Sequence, residues 1–416
     1  MKKKKHQKLF LSGIVAWVLL YFIFFYQNTN SNLISLPSFI HSASTQVSMR
    51  PIYVHHVENS TTTKQVKDKD HHRSRAIVLP EMQKNLNWRI IWAAKVVRGL
   101  WMGIASSDML SSYLQKVKKQ YTDINQYNVT YTGHLKNKTN QKKILCQLKN
   151  EQLRTLTGNE EPFASLGWQK LVPRQPLEQA TGGPYKTCAV VSSAGAILKS
   201  SLGREIDSHD AVLRFNAAPT EGYENDVGNK TTLRIINSQI MANPQHMFAD
   251  SHLYKNITLV AWDPSPYSGN LEKWYKRPDH DLFTAFTEHR KKFPSQALYI
   301  LHPNYLWNLW NILQRNTEEK VQPNPPSSGF IGIILMMSIC EKVDVYEFIP
   351  SIRHTSLCHY YEQYHDFACT LGAYHPLFYE KLFIRTMSTV SLDELMTKGK
   401  VTLPGFNQIT CSGQEV

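Results

Sequence analysis

The pattern of apolar and polar positions divides the chain into unlike stretches. Leu9 to Tyr26, LFLSGIVAWVLLYFIFFY, runs eighteen residues without a charged side chain, close to the minimum that crosses a bilayer as a helix. From Gln27 to about Arg75, Asn, Ser, Thr, His and Lys dominate and no apolar period is sustained, which predicts a flexible stem. Glu81 to Gln120 regains aromatics (Trp88, Trp92, Trp101) and reads as helix. Further on, CAVV (Cys188–Val191), AVLRF (Ala211–Phe215), TLRII (Thr232–Ile236), ITLVAW (Ile257–Trp262), ALYIL (Ala297–Leu301) and VDVYEF (Val343–Phe348) read as strands. Between them ILKSSLGREI, YLWNLWNILQ and the run after Gly329 carry apolar residues at helical spacing. Such alternation predicts an α/β fold, a mostly parallel twisted sheet flanked by helices on both faces. Sheets of this kind bind ligands beyond the carboxyl ends of their strands.

Charge adds topology. Lys2, Lys3, Lys4, Lys5 and Lys8 precede the apolar run, and bulky aromatics continue to its end with no small-residue cleavage site following closely. These signals predict an uncleaved signal-anchor with its lysines cytosolic: tail 1–8, transmembrane anchor 9–26, luminal stem 27–120 and globular domain 121–416. The rest of the net charge of +14 is spread out, with no zinc-finger or RNA-module signature, so a small anionic ligand fits better than nucleic acid. Sequons at Asn59, Asn128, Asn137, Asn229 and Asn256 suit a luminal domain. The six cysteines, Cys146, Cys188, Cys340, Cys358, Cys369 and Cys411, form no CxxC pair, and an even count in an oxidising compartment predicts three disulfides. Spacing alone leaves all fifteen connectivities open.

Three stretches carry chemistry. In VVSSAGAILKSSLGREID a strand ends, Ser192-Ser193-Ala194-Gly195 turns, and a helix start would offer hydroxyls and free amides to an oxyanion; an ordinary serine cap is the plainer reading. DAVLRFNAAPT and TTLRIINSQ both end a strand in asparagine, Asn216 and Asn237, whose amides supply a donor and an acceptor together. In QPNPPSSGFIGIILMMSIC the prolines keep the chain extended until Ser327-Ser328-Gly329 opens an apolar helix, a good phosphate receptor or simply a capped core helix. No GxGxxG and no GxxxxGK[ST] occurs, which disfavours a dinucleotide fold or P-loop.

GPYKTCAVVSSAG with LGREIDSHDAVLRFN, then PNPPSSGFIGI, HYYEQY and GAYHPLFYEK, in this order, resemble the large, small, third and very small sialylmotifs of animal sialyltransferases. WDPSPY and KWYKRPD are similar to segments of the β-galactoside α-2,6-sialyltransferase branch, its type 1 members in particular. The likeness runs from about Tyr127 to Cys411 and implies a Rossmann-like, variant GT-A glycosyltransferase fold. It implies transfer of sialic acid from CMP-sialic acid to the 6-hydroxyl of terminal β-galactose (Gal-β-1,4-GlcNAc) on glycoprotein glycans, inverting, with no metal or other cofactor. The setting implied is the Golgi membrane, single-pass type II, with a soluble form if the stem is cut.

By that resemblance Ser193, Asn216 and Asn237 address the donor nucleotide, while Ser327, Ser328 and Gly329 address its phosphate and the sugar carboxylate. Cys358, His359, Tyr374 and Lys381 complete the donor pocket, and Asp279 and Gln239 reach the acceptor galactose. The implied disulfides are Cys146–Cys411, Cys188–Cys340 and Cys358–Cys369. His375 matches the catalytic histidine, and an imidazole with an ordinary pKa of about 6.5 suits proton abstraction in a mildly acidic lumen. Asp279-His280-Asp281 and Asp68-Lys69-Asp70 spell the D-x-D of metal-dependent transferases, but a nucleotide sugar with one phosphate has no diphosphate for a metal to bridge. Glu362 stands on the acceptor side where a neutral glutamine is expected, and the tail after Cys411 is longer than expected. A sister sialyltransferase of other linkage, or an inactive membrane-anchored glycan-binding protein, stay open as readings.

Overall fold

The computed structural model describes residues 88–133, 140–180 and 183–412. The tail, the anchor, most of the stem, Asn59, Asp68, Asp70 and Asn137 lie outside them. Among the described residues no helix is long and apolar enough to cross a membrane.

Among the described residues seven strands form one sheet: β1 (Tyr185–Val191), β2 (Ala211–Phe215), β3 (Leu233–Asn237), β4 (Thr258–Trp262), β5 (Leu298–Ile300), β6 (Cys340–Tyr346) and β7 (Lys400–Pro404). Their order is β5-β4-β3-β2-β1-β6-β7. All neighbours are parallel except β6 and β7, so the predicted architecture holds. The six strands read from sequence are present within a few residues. The edge strand β7 was not read, because LFIRTMSTVSLDELMTKGKVTLP gives no run apolar enough to stand out from its flanking helix.

Strands buried on both faces explain the near-continuous apolar runs. On one face Leu213, Phe215, Leu233 and Ile235 meet the helix Ser328–Ile339, in which Phe330 to Met337 and Ile339 are all buried. That helix lies very close to the sheet: a Cβ on Gly332 would sit 2.6 Å from Phe215 Cε1 and 2.7 Å from Leu213 Cδ2. The opposite face carries two separate clusters, one around Ile236, Leu259 and Phe286 and one around Ala189, Val212 and Tyr360.

Two expectations change. Residues 88–120, assigned to the stem, belong to the globular body. Helical residues 88–102 bury Val96, Val97, Leu100 and Trp101 in the main core, Trp101 Nε1 donates to Pro350 O at 2.7 Å, and Lys118 of the helix Ser112–Ile124 meets Glu319 at 3.0 Å. Their partners lie more than 200 residues away, which local composition does not reveal. ILKSSLGREI, in turn, is not one helix: a 3-10 turn Gly195–Ile197 and a short helix Gly203–Asp207 are separated by Lys199 and Ser201 at φ 63° and 55°. Asp226 captures the amides of both residues, at 2.8 and 2.9 Å.

The cysteines pair as Cys146–Cys411, Cys188–Cys340 and Cys358–Cys369, as the resemblance implied. Sequon asparagines Asn128, Asn229 and Asn256 are exposed.

Gly332→Ala is expected to cost about 1–3 kcal/mol by overpacking, read as a lower midpoint in urea or thermal unfolding. An unchanged midpoint would show that the helix stands off the sheet.

Candidate active site

The site lies where the strand order turns. Since β1 has β2 on one side and β6 on the other, the loops leaving their carboxyl ends diverge and open a crevice. Ser193 follows β1, Asn216 follows β2, Asn237 ends β3 and Trp262 ends β4.

Geometry ties these strand ends together. Asn216 holds a left-handed φ of 46°, and its side-chain oxygen accepts from the Asn237 amide at 3.1 Å. Asn237 then caps the helix Ser238–Ala242, accepting from Ile240 N at 3.1 Å. In the adjoining register Asn237 pairs with Trp262, whose Nε1 donates to Ser328 Oγ at 2.9 Å. Ser193 O accepts from Tyr360 N at 3.0 Å, and Ala194 bridges His359. Asn216, Asn237 and Ser328 are thus linked through Trp262, and Ser193 and His359 are held by a second set of contacts.

Ser327 is already committed. Its amide and hydroxyl both donate to Glu380, at 2.8 and 2.5 Å, and its oxygen caps Phe330 N at 3.2 Å. Burial pushes Glu380 up to about 7. Ser328 and Gly329 differ: among the described residues their amides, in the first turn where no intrahelical acceptor exists, have no bonded partner. Lys381 is buried with its ammonium on Phe348 O and 4.6 Å from the Phe348 ring centroid, and burial lowers it to about 8. That ring lies 2.8 Å from where a Gly329 Cβ would stand, so Lys381 acts on the helix start through Phe348. The Cys358 amide is likewise used internally, on Tyr364 O at 2.9 Å.

His375 Nδ1 lies 2.8 Å from Pro325 O. A carbonyl only accepts, so Nδ1 carries the proton and Nε2 keeps its lone pair. The part-buried ring has Tyr374 edge-on at 4.7 Å and Trp262 at 6.2 Å, and burial lowers its pKa to about 4. The arrangement is a neutral base beside free helix amides.

On the other flank Tyr374 OH contacts Tyr127 OH, and burial raises both phenols, with Asp263 and Asp279 adding to the rise. Asp263 is wholly buried, accepts from Trp274 Nε1 at 2.6 Å and from Asp279 N at 3.1 Å, and burial raises it to about 7. Asp279 is also raised by burial and sits 3.6 Å from His280 Nε2. Asp281 of the D-x-D caps the helix Leu282–Lys292 at Thr284 N, 3.2 Å. Among the described residues no three His, Cys, Asp or Glu side chains converge as a metal site. Glu362 is bonded to His359 Nδ1 at 2.7 Å, which holds its carboxyl below the usual range. Gln239 lies on the helix that Asn237 caps.

Sequence reading missed Tyr127, Trp262, Asp263 and Glu380. Trp262 and Asp263 sit in WDPSPY at a strand end, a position that could have flagged them; Tyr127 and Glu380 carry no local signal.

Parallel strands end here near an imidazole whose Nε2 can accept a proton and near helix amides that can meet an anion. Residues 132–391 match glycosyltransferase family 29 (sialyltransferase), and the chain belongs to that family. It is 62% identical over 317 residues to beta-galactoside alpha-2,6-sialyltransferase 2 of Danio rerio, covering 76% of this chain and 62% of that one. With the protein of the same name from Homo sapiens it shares 58% identity over 313 residues, 75% of this chain and 59% of the other. The chain thus spans about three-fifths of the length of these relatives. They are named type 2, which overturns the type 1 assignment suggested by WDPSPY and KWYKRPD. A crystal structure of a mammalian sialyltransferase, 20% identical, covers 66% of this chain and 81% of its own, with a TM-score of 0.36.

The folded state disfavours protonation of His375, so its stabilising contribution is full above about pH 6.5 and is lost as pH falls through about 4. The acid limb of kcat/KM is expected near pH 4 rather than 6.5, measured as a pH–rate profile. A limb at about 6.5 would show that burial does not hold the ring neutral.

Proposed function

We propose that this protein transfers sialic acid from CMP-sialic acid to the 6-hydroxyl of terminal β-galactose in Gal-β-1,4-GlcNAc on glycoprotein glycans, with inversion and without a metal. The family and the names of the relatives support the coarse reaction. The observation that carries the mechanism is the Nδ1–Pro325 hydrogen bond, which leaves His375 Nε2 as an acceptor. In this reading Nε2 takes the proton from the galactose 6-hydroxyl as its oxygen attacks the anomeric carbon of the sialyl group. The bond to the CMP phosphate breaks, and the negative charge that grows there is met by the amides of Ser328 and Gly329 and by the Ser328 hydroxyl. Ser328 Oγ accepts from Trp262, so its own hydrogen is free to donate to a phosphate oxygen.

A proton-abstracting imidazole contributes on the order of a hundred- to ten-thousand-fold in rate. CMP carries one phosphate, and helix amides suffice for its charge, which is the reason a metal is not invoked. Asn216 and Asn237 serve the nucleotide, and Asp279, Gln239 and Glu362 face the acceptor. The apolar run Leu9–Tyr26 after five lysines supports a Golgi type II anchor with this domain luminal.

The protein is expected to sialylate N-acetyllactosamine in EDTA, with an α-2,6 product by linkage analysis. His375→Ala should lower kcat at least about a hundredfold while CMP still binds. Dependence on a divalent ion, or a His375→Ala variant of normal kcat, would reject the mechanism; another linkage would reject the acceptor assignment.

A further inference from the structure

Arg214 and Arg234 are among the largest wholly buried side chains, each 1% exposed. They are direct partners across β2 and β3, so both emerge on one face of the sheet. Leu213, Phe215, Leu233 and Ile235 point to the other face, against Ser328–Ile339. The arginines therefore stand where the two smaller clusters, around Leu259 and around Val212, come apart.

Their hydrogen bonds go almost entirely to neutral oxygens. Arg234 Nη1 donates to Asn216 O at 2.9 Å, Ala218 O at 3.0 Å and Phe215 O at 3.4 Å, clamping the turn that carries Asn216. Arg214 donates to Lys230 O at 3.1 Å, Thr231 Oγ1 at 3.0 Å, Val227 O at 2.6 Å and Gly228 O at 3.2 Å. Neither arginine forms an ion pair with a carboxylate among the described residues. Asp207 acts on Arg214 only at a distance, its oxygens accepting from the amides of Asn229 and Lys230. Arg214 Nη1 and Arg234 Nε are buried with no acceptor among the described residues.

Burial lowers both guanidinium pKa values to about 10, so both stay charged at neutral pH. Two buried like charges on adjacent strands destabilise the fold unless something offsets them. Directly above lie donor-side groups: Arg234 holds the Asn216 turn, and Tyr360, whose charge environment includes both arginines, fixes Ser193 O and Pro219 O and follows His359 in sequence.

We propose that Arg214 and Arg234 form a buried cationic platform beneath the donor half of the site, with Arg234 the positioning residue for the Asn216 turn, and that an anionic nucleoside monophosphate or its sugar ester supplies the missing counter-charge. The platform rests on the donor reading given above. It adds a source of affinity for negative charge that does not touch the ligand, and being buried it is screened little by salt. As CMP leaves, the same field favours the departing anion.

The test compares binding of CMP with uncharged cytidine, by calorimetry, in the wild-type protein, Arg234→Met, Arg234→Lys and Arg214→Met. Removing one charge is expected to cut the preference for CMP over cytidine about tenfold, the order for unit charges ~10 Å apart at an effective dielectric of about 20. Arg234→Lys should keep the preference yet bind both CMP and cytidine several-fold more weakly, since one ammonium cannot span three carbonyls. Should Arg234→Met not fold, Arg214→Met, which leaves the Asn216 turn untouched, carries the charge test. A preference within twofold of wild type in the methionine variants, or its loss in Arg234→Lys, overturns the platform. A wild-type protein that binds no CMP overturns the donor reading itself.

Discussion

Everything at this site depends on one helix that has no exposed side. In Ser328–Ile339 the residues Phe330 to Met337 are buried all round, so packing fixes its axis and leaves only its first turn to face the crevice. Each large apolar side chain there contributes about 1.5–3 kcal/mol by leaving water, far more than any single polar contact at its start. The polar residues at the start are therefore held where the core puts them. Gly332 is needed because the sheet comes within contact of the helix backbone.

Buried polar groups then set the chemistry. Glu380 fastens Ser327, Asp263 fastens the Asp279 segment, and Pro325 O fixes the tautomer of His375. Each lies away from the open part of the crevice and acts through a neighbour. Asp263 and Asp279 stand together behind Tyr374, while Arg214 and Arg234 lie side by side under the strand ends of β2 and β3.

Much of this was legible in the chain. AVLRF is β2 residue for residue, Asn216 directly follows that strand and Asn237 ends β3, and PNPPSSGFIGI marked the helix start where extended chain gives way to helix. The sialylmotif resemblance implied one site for His375, Asn216 and Ser328; hydrogen bonds and strand register link Asn216 to Ser328 through Asn237 and Trp262, and the His375 ring lies 6.2 Å from that of Trp262. The sequence erred where a distant residue outbid local propensity. Asp226 unwound the stretch after Leu198, at Lys199 and Ser201, and contacts with Pro350 and Glu319 drew residues 88–120 out of the expected stem into the core.

The amino-acid order by itself determined the period of the strands, the capping serines and the inventory of groups able to move a proton or meet a phosphate, because these depend on neighbours a few residues away. Only the tertiary structure decided which of those groups remain free. Ser327 and Lys381 are consumed by Glu380 and Phe348, Ser328 and Gly329 are not, and two strand arginines that read as ordinary charged residues end up beneath the site, each with a buried nitrogen that no acceptor among the described residues meets. Partners tens of residues away in the chain make that choice, and burial multiplies its consequence, since a charge or hydrogen bond removed from water has few substitutes.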